Sequence, residues 1–244
     1  MNDAIKVEQI SKAYRGLPAV KGLNLSIGYG KVFGLLGANG AGKSTSIECI
    51  LGTKEADSGN VSILGMNPVA DRKKLFQKVG VQFQEANYQN EITVRELCEE
   101  TSSLYQDPAD WKQLLAKFGI ADKIKSAVKN LSGGQRQRLF IVLALIPNPQ
   151  VVFLDELTTG LDAKARRDVW KILEDLKNKG LTILLTSHFM DEVEVLCDEI
   201  CILKRGETVF YGTVAEAISS SPFEKFEDAY LWYAEEEENQ NEDL

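Results

Sequence analysis

Along the first thirty residues apolar and polar positions alternate; beyond them the apolar positions close up into short unbroken runs. Ile5, Val7 and Ile10 mark one strand, and Leu23, Leu25 and Ile27 alternate with polar residues in a second, the period of two that half-buried strands show. A turn at Gly28-Tyr29-Gly30 leads to a strand over residues 31–36, then to a glycine-rich loop and a helix starting near Gly42. Further strands are predicted at 61–64, 79–83, 151–155, 181–186 and 199–203. From Gln84 to Pro149 the apolar spacing becomes helical, with helices over 93–104, 111–118 and 134–145. A crossover helix over 162–177 follows, with Asp162 as its N-cap. Short apolar strands separated by helices favour a parallel sheet covered on both faces, with a helical lobe inserted into an alternating strand–helix core.

Composition adds little to this and removes several options. The chain of 244 residues is 44% hydrophobic and 26% charged, ordinary for a globular protein. Its apolar runs are far too short to cross a bilayer, and the first residues carry no apolar signal core. The expectation is a chain that stays in the cytosol, with any membrane span supplied by another protein. The net charge is −8, from 28 basic and 36 acidic residues. Six of the acids, Glu235, Glu236, Glu237, Glu238, Glu242 and Asp243, crowd the C-terminal end, so the body is close to neutral and nothing suggests a basic nucleic-acid surface. Cys49, Cys98, Cys197 and Cys201 lack paired CxxC spacing, which argues against a disulfide framework or a zinc site. Cys197 and Cys201 have the spacing to share a helical face, but ordinary reduced thiols in the core are the preferred reading.

Three stretches carry candidate chemistry. Gly37-Ala38-Asn39-Gly40-Ala41-Gly42-Lys43-Ser44, running into Thr45, fits the P-loop spacing. Glycines let backbone N–H groups converge on phosphate oxygens, and the following helix points its positive end at the same anion. Lys43 is positioned to reach the β- and γ-phosphates and Ser44 to offer a hydroxyl to Mg²⁺. At ordinary glycine frequency a chance match in such a chain is about one in a hundred, and the required strand and helix flank it. The loop alone does not choose among kinases, GTPases and motor ATPases. Next, the apolar run 151–154 ends in Asp155-Glu156. Ligands of open α/β sheets gather at the carboxyl ends of strands; an aspartate there can hold Mg²⁺ and a second carboxylate can polarise an attacking water. Such a pair is by itself more often structural, but a P-loop in the same chain reverses that balance. Finally His188, the one histidine, follows the apolar strand at 181–186. It is either a polar residue at a strand end or, lying beside the acid pair, a γ-phosphate contact.

Leu131-Ser132-Gly133-Gly134-Gln135 distinguishes among these nucleotide-binding classes. Beside a P-loop and Asp155-Glu156 it makes the chain resemble the ABC ATPases over nearly its whole length, from about residue 5 to 218. A chance five-residue match is roughly one in several thousand. The resemblance implies an α/β fold: a P-loop NTPase core with an N-terminal antiparallel β subdomain and an inserted helical subdomain at about 85–149, the whole domain spanning 1–222, followed by a C-terminal segment, 223–244, with an acidic tail. It implies ATP and Mg²⁺ as ligands. Tyr14 looks like the aromatic residue that stacks on adenine, and Gln84 like the glutamine that touches Mg²⁺ or the water. Asp155 matches the Mg²⁺-associated aspartate, Glu156 the catalytic base and His188 the switch histidine. Gly160-Leu161-Asp162 resembles the loop that crosses the dimer interface. Leu157 departs from the proline common at that position.

Proteins of this kind work as head-to-tail dimers, with ATP between the P-loop of one copy and the residues matching 131–135 of the other. The expectation is therefore a transporter motor on the cytoplasmic face of the membrane. It would be dimeric with itself or a paralogous ATPase subunit, and bound to integral membrane permease subunits. Tyr88, Ile92 and Leu97 are candidate contacts to such a partner or, equally, plain core residues, the reading preferred for Leu97. Export is favoured over import, since no length remains for the appended regulatory domain of some importers. The alternatives are an importer motor, or a soluble ABC ATPase in an assembly or iron–sulfur role. The 47 residues separating Gln84 from Leu131 leave no room for the coiled coils of chromosome and repair members, and residues 131–135 and His188 argue against a P-loop kinase.

Overall fold

The computed structural model describes residues 3–82, 88 and 91–234. Within them the strands, in chain order, are β1 (Asp3–Tyr14), β2 (Leu17–Gly28), β3 (Val32–Leu36), β4 (Ser58–Ile63), β5 (Val79–Gln82), β6 (Val151–Leu154), β7 (Thr182–Leu185), β8 (Glu199–Lys204) and β9 (Glu207–Gly212). The helices are α1 (Lys43–Ile50), α2 (Arg72–Leu75), α3 (Val94–Ser103), α4 (Trp111–Lys117), α5 (Gly133–Leu145), α6 (Ala163–Lys177), α7 (Met190–Leu196), α8 (Val214–Ser219) and α9 (Phe226–Ala234).

The alternating N-terminal pattern becomes an antiparallel sheet in the order β2-β1-β4. The unbroken apolar runs become the second sheet, in the order β5-β6-β7-β3-β8-β9. There β5 through β8 run parallel, and β9 turns back antiparallel on β8 at the edge. Every residue of β3, β6 and β7 is buried, because both faces of this sheet are covered. Alternate side chains serve different cores. Val32, Val152, Leu154, Ile183 and Leu185 pack with α5 and α6, whereas Phe33, Leu35, Val151, Phe153 and Leu184 pack with α1 and the antiparallel sheet. A third cluster joins Leu36 at the end of β3 to α7, β8, α8 and Phe226 of α9.

The helical region starts with well-formed caps. Thr93 and Glu96 make a reciprocal capping box at α3, and Asp110 accepts from the amides of Lys112 and Gln113 at α4. Helix α5 presses on the core sheet through Gly80 of β5. A Cβ there would lie 1.8 Å from the carbonyl oxygen of Ala144, so only glycine lets strand and helix backbones approach this closely.

Several expectations change. Ile92 is buried in the core beside α3 and is therefore not a surface contact; Tyr88 and Leu97 are half-buried against the same cluster. Cys201 lies in β8 and Cys197 follows α7, so they share no helical face; both are free thiols, as are Cys49 and Cys98. The strand β9 and the short helices α2, α7 and α8 lie in stretches to which the sequence pattern assigned no element. The described part of the C-terminal segment forms α9, which docks on the core against α7, α8 and β8 through Phe226; the acidic tail lies outside the described residues. No helix among the described residues is long and apolar enough to cross a membrane.

The contact at Gly80 gives a stability prediction. Gly80→Ala must push α5 off β5, an overpacking cost of about 1–3 kcal/mol. A thermal melt should fall by several degrees, at about 2–4 °C per kcal/mol for a chain of this size. An unchanged melting temperature would mean that α5 does not sit directly on the strand.

Candidate active site

Strand order decides where the chemistry can be. β3 ends in the P-loop, β6 in Asp155-Glu156 and β7 in the segment leading to His188, and these three parallel strands are neighbours. Their carboxyl ends therefore open on one side of the sheet.

The P-loop is held between two other elements. Gly37 (φ 147) could not carry a Cβ, which would stand 2.5 Å from the carbonyl oxygen of Leu203 in β8. At Gly42 (φ 106) the Cβ would stand 2.3 Å from that of Ala19 in β2. The Gly206 amide donates to the Ala41 carbonyl at 2.9 Å and fastens the loop from the β8–β9 turn. Asn39 and Gly40 at its tip are exposed. Helix α1 then begins with no side-chain cap and no acidic residue in its first turn, so its amide end is available to an anion. Ser44 is exposed and Thr45 half-buried. Lys43, 8% exposed, folds back so that its Nζ donates to the carbonyls of Gly37 at 2.7 Å and Ala38 at 3.1 Å. Burial pushes its ammonium pKa down, and the charges of Asp155 and Glu156 oppose that shift. The lysine and the acid pair thus share one electrostatic environment.

The acid pair is held by a chain of hydrogen bonds. Thr186 Oγ1, at the end of β7, donates to Asp155 Oδ1 at 2.5 Å and accepts from the Glu156 amide at 2.9 Å. Gln82 Nε2 donates to the Asp155 carbonyl at 3.0 Å, and the Asp155 amide donates to the Gln82 carbonyl at 3.1 Å. Desolvation pushes the Asp155 carboxyl pKa up, and the Thr186 hydrogen bond pulls it partly back. Glu156 sits in the left-handed region at φ 50, a strained conformation for a side chain of its size. Its Oε1 lies 3.0 Å from His188 Nε2. Leu157, where proline was the common alternative, buries its side chain completely in the core with α5 and α6.

Ser132 is the N-cap of α5, and its hydroxyl accepts from the Gln135 amide while Gln135 Oε1 accepts from the Ser132 amide. A Cβ on Gly133 would meet open space, whereas one on Gly134 would sit 3.3 Å from the Gly160 carbonyl oxygen and 3.2 Å from Leu161. The start of α5 therefore leans on the loop that follows Glu156. Asp162 caps α6, accepting from the Ala165 amide at 2.8 Å, as the sequence pattern predicts.

The structure thus brings Lys43, Asp155, Glu156 and His188 to one place. Ser132 and Gly133 are exposed at the start of α5, which meets the loop after Glu156 at Gly160 and Leu161. Tyr14 enters from the antiparallel sheet, at the end of β1. It is 40% exposed, with the ammonium groups of Lys54 and Lys12 at 5.3 and 5.9 Å from its ring centre. Gln84 lies outside the described residues. Sequence reasoning missed Thr186 and Gln137. Gln137 Nε2, one turn into α5, donates to the carbonyls of Glu156 at 3.1 Å and Leu157 at 2.8 Å. A lone glutamine on a helix carries no signal of its own; Thr186 stood at the end of an apolar run next to the histidine.

Comparison with known proteins bears on what this geometry does. A family model described as ABC transporter matches residues 20–159, from the second strand of the hairpin to just past the acid pair. The chain is 40% identical over 215 residues to the Nod factor export ATP-binding protein I of Rhizobium etli, covering 86% of this chain and 68% of that one. It is 34% identical over 220 residues to the linearmycin resistance ATP-binding protein LnrL of Bacillus subtilis, covering 88% and 71%. The chain thus spans about two thirds of the length of these relatives. Among solved structures, CbiO1 of Clostridium perfringens, part of the ABC transporter complex CbiONQ, superposes with a TM-score of 0.77 at 29% identity, over 90% of this chain and 92% of that one. An ATP-binding subunit of an ABC transporter gives a TM-score of 0.86 at 24% identity over 94% and 99%, a likeness of fold.

Gln137 supplies the prediction from this geometry. Gln137→Leu keeps the volume but releases both carbonyls behind the strained Glu156. Two hydrogen bonds at about 0.5–1.5 kcal/mol each give a fall in nucleotide turnover of roughly tenfold, with nucleotide affinity kept. Wild-type turnover in this variant, read by phosphate release, would show that the bonds do not hold the glutamate.

Proposed function

We propose, from the premise that this chain belongs to the ABC transporter family and is one of its ATP-binding, ATP-hydrolysing members, that its hydrolysis drives export of a substrate through separate membrane permease subunits. The observation that carries the hydrolytic part is the Glu156–His188 contact of 3.0 Å at the strand ends flanking the P-loop. The export part rests on the relatives named above, an export protein and a resistance protein. The chain would sit on the cytoplasmic face of the membrane, attached through the permease.

In this reading the ATP phosphates lie on the amides of residues 37–45, and the Lys43 ammonium exchanges the carbonyls of Gly37 and Ala38 for phosphate oxygens. A desolvated ammonium gains more from an anion than from two carbonyl dipoles. Ser44 and Asp155, with Gln84, are the residues that would hold Mg²⁺. One hydroxyl and one desolvated carboxylate suit a hard cation that takes its remaining ligands from phosphate and water. Among the described residues no group of three or more His, Cys, Asp or Glu forms a cage for an ion on its own. When bound, the ion neutralises charge on the phosphate oxygens.

Glu156 takes a proton from the attacking water as the water oxygen bonds to the γ-phosphorus and the bond to the ADP oxygen breaks. His188 orients the Glu156 carboxylate and contacts the γ-phosphate. Tyr14 stacks on the adenine. The exposed start of α5, with Ser132, Gly133, Gly134 and Gln135, faces the γ-phosphate presented by a second ATPase subunit, identical or paralogous, in a head-to-tail dimer, with Asp162 in the loop at that interface. ATP then holds the dimer closed, and its hydrolysis lets the dimer open.

Two experiments test this. Glu156→Gln should still bind ATP but lose at least about 100-fold in turnover, the lower end of what a general base contributes. Phosphate release at the wild-type rate would remove Glu156 from the role. Tagged chain recovered from gently solubilised membranes should bring down a polytopic membrane protein in fixed ratio. Recovery with soluble proteins only would replace the transporter reading with an assembly-type ATPase while leaving the ATP chemistry intact.

A further inference from the structure

Behind the loop that follows Glu156 lies a buried polar cluster that the hydrolytic chemistry above does not use. Glu192 stands on α7, four residues after His188, and is completely buried. Its Oε1 accepts a hydrogen bond from Trp170 Nε1 of α6 at 2.8 Å. Its Oε2 is equally buried and has no hydrogen-bond partner. The same holds for the hydroxyl of Thr158, two residues beyond Glu156. Ser187, which precedes His188, is buried too. The hydroxyls of Ser187 and Thr158 lie near enough to act on the proton affinity of the Glu192 carboxyl, and burial outweighs them, pushing its pKa up; the charge of Asp191 adds to the rise.

A buried carboxylate with one neutral donor and no cation against it is costly. A protonated carboxyl is both acceptor and donor: here it would keep the Trp170 bond and offer an O–H to Thr158 and Ser187. A second contact from α6 runs parallel to the first. The Arg166 guanidinium lies 4.4 Å from the ring centre of Phe189, the residue after His188, and its Nη1 is 3.6 Å from Asp191 Oδ1. Helix α6 starts at the Asp162 cap, so its first turns and α7 bracket the loop 156–162 from behind.

We propose that Glu192 is a positioning residue for hydrolysis: its carboxyl group joins Thr158 behind Glu156, Ser187 beside His188 and Trp170 of α6, and so sets the spacing at which Glu156 and His188 meet. The proposal rests on the reading of Glu156 and His188 as the hydrolytic pair. Glu192 is completely buried behind the site, so its removal should be read in kcat and not in ATP affinity.

The test compares Glu192→Gln with Glu192→Leu in the full chain. The amide keeps an acceptor for Trp170 and a donor toward Thr158 and Ser187; leucine keeps the volume and neither polar function. Glu192→Gln should hold kcat within about threefold of wild type. Glu192→Leu should lose roughly 10- to 100-fold in kcat, the scale of a misplaced catalytic group, with KM for ATP unchanged. Wild-type kcat in Glu192→Leu, or an equal loss in both variants, overturns the proposal. Should Glu192→Leu fail to fold, Trp170→Phe decides: it removes the donor and keeps a ring, and an unchanged kcat overturns the proposal. Glu156→Gln measured in parallel separates the two levels. If it loses turnover while Glu192→Leu does not, only the positioning role falls. If it keeps turnover, the hydrolytic reading falls and the positioning role with it.

Discussion

Parallel pairing of β6, β7 and β3 side by side is the constraint from which the site follows. Leu154 stands opposite Leu185, and Gly34 opposite Leu185 on the other flank. In a parallel sheet this register leaves the acid pair, the histidine and the phosphate loop emerging at the same end from adjacent strands. Because every residue of these strands is buried on one core or the other, a slip of register by one residue would send each set of side chains into the wrong core and draw flanking polar residues into the sheet. The two hydrophobic cores therefore fix the relative heights of Lys43, Glu156 and His188 before any polar contact among them is made.

Glu156 sits at a conformational cost within this frame. A non-glycine residue in the left-handed region costs of order 1–3 kcal/mol. Three hydrogen bonds hold the strained turn: the Glu156 amide to Thr186, and Gln137 to the carbonyls of Glu156 and Leu157. At about 0.5–1.5 kcal/mol each they are of the size needed to offset it. The strained backbone turns the Glu156 side chain to His188 while Asp155, one residue earlier, points to Thr186. Two adjacent carboxylates thus face different partners, Thr186 and His188.

How much of this was legible in the sequence depends on how local each feature is. The P-loop, the Ser132 and Asp162 caps and the strand carrying Asp155-Glu156 are consecutive residues whose types dictate their own conformation, and their resemblance to a known family assembled them into one fold. What could not be read are contacts between residues far apart in the chain. Gly80 looks like any strand glycine until α5 lies across it. Gln137, Trp170 and Glu192 look like ordinary helix residues until their partners, 19 to 22 positions away, come into reach. Ile92 shows the converse: its sequence position left both a partner contact and a core place open, and only the packing around α3 buries it.

These distant contacts join the two ends of the site into one mechanical piece. Gly134, at the start of α5, abuts Gly160 and Leu161, and Gln137, one turn further along the same helix, holds the backbone of Glu156 and Leu157. A shift of α5 by a fraction of an ångström therefore moves the loop 156–161 at both ends, since close-packed contacts transmit displacement rather than absorb it. In the head-to-tail arrangement proposed above, the start of α5 faces the nucleotide of the partner subunit, whereas Glu156 faces that of its own. Release of γ-phosphate on one side would then alter the position of the glutamate on the other through α5 alone, without a separate relay. The same helix rests on β5 at Gly80 with no side chain between, so the displacement it can make is small, and the site it adjusts is correspondingly sensitive.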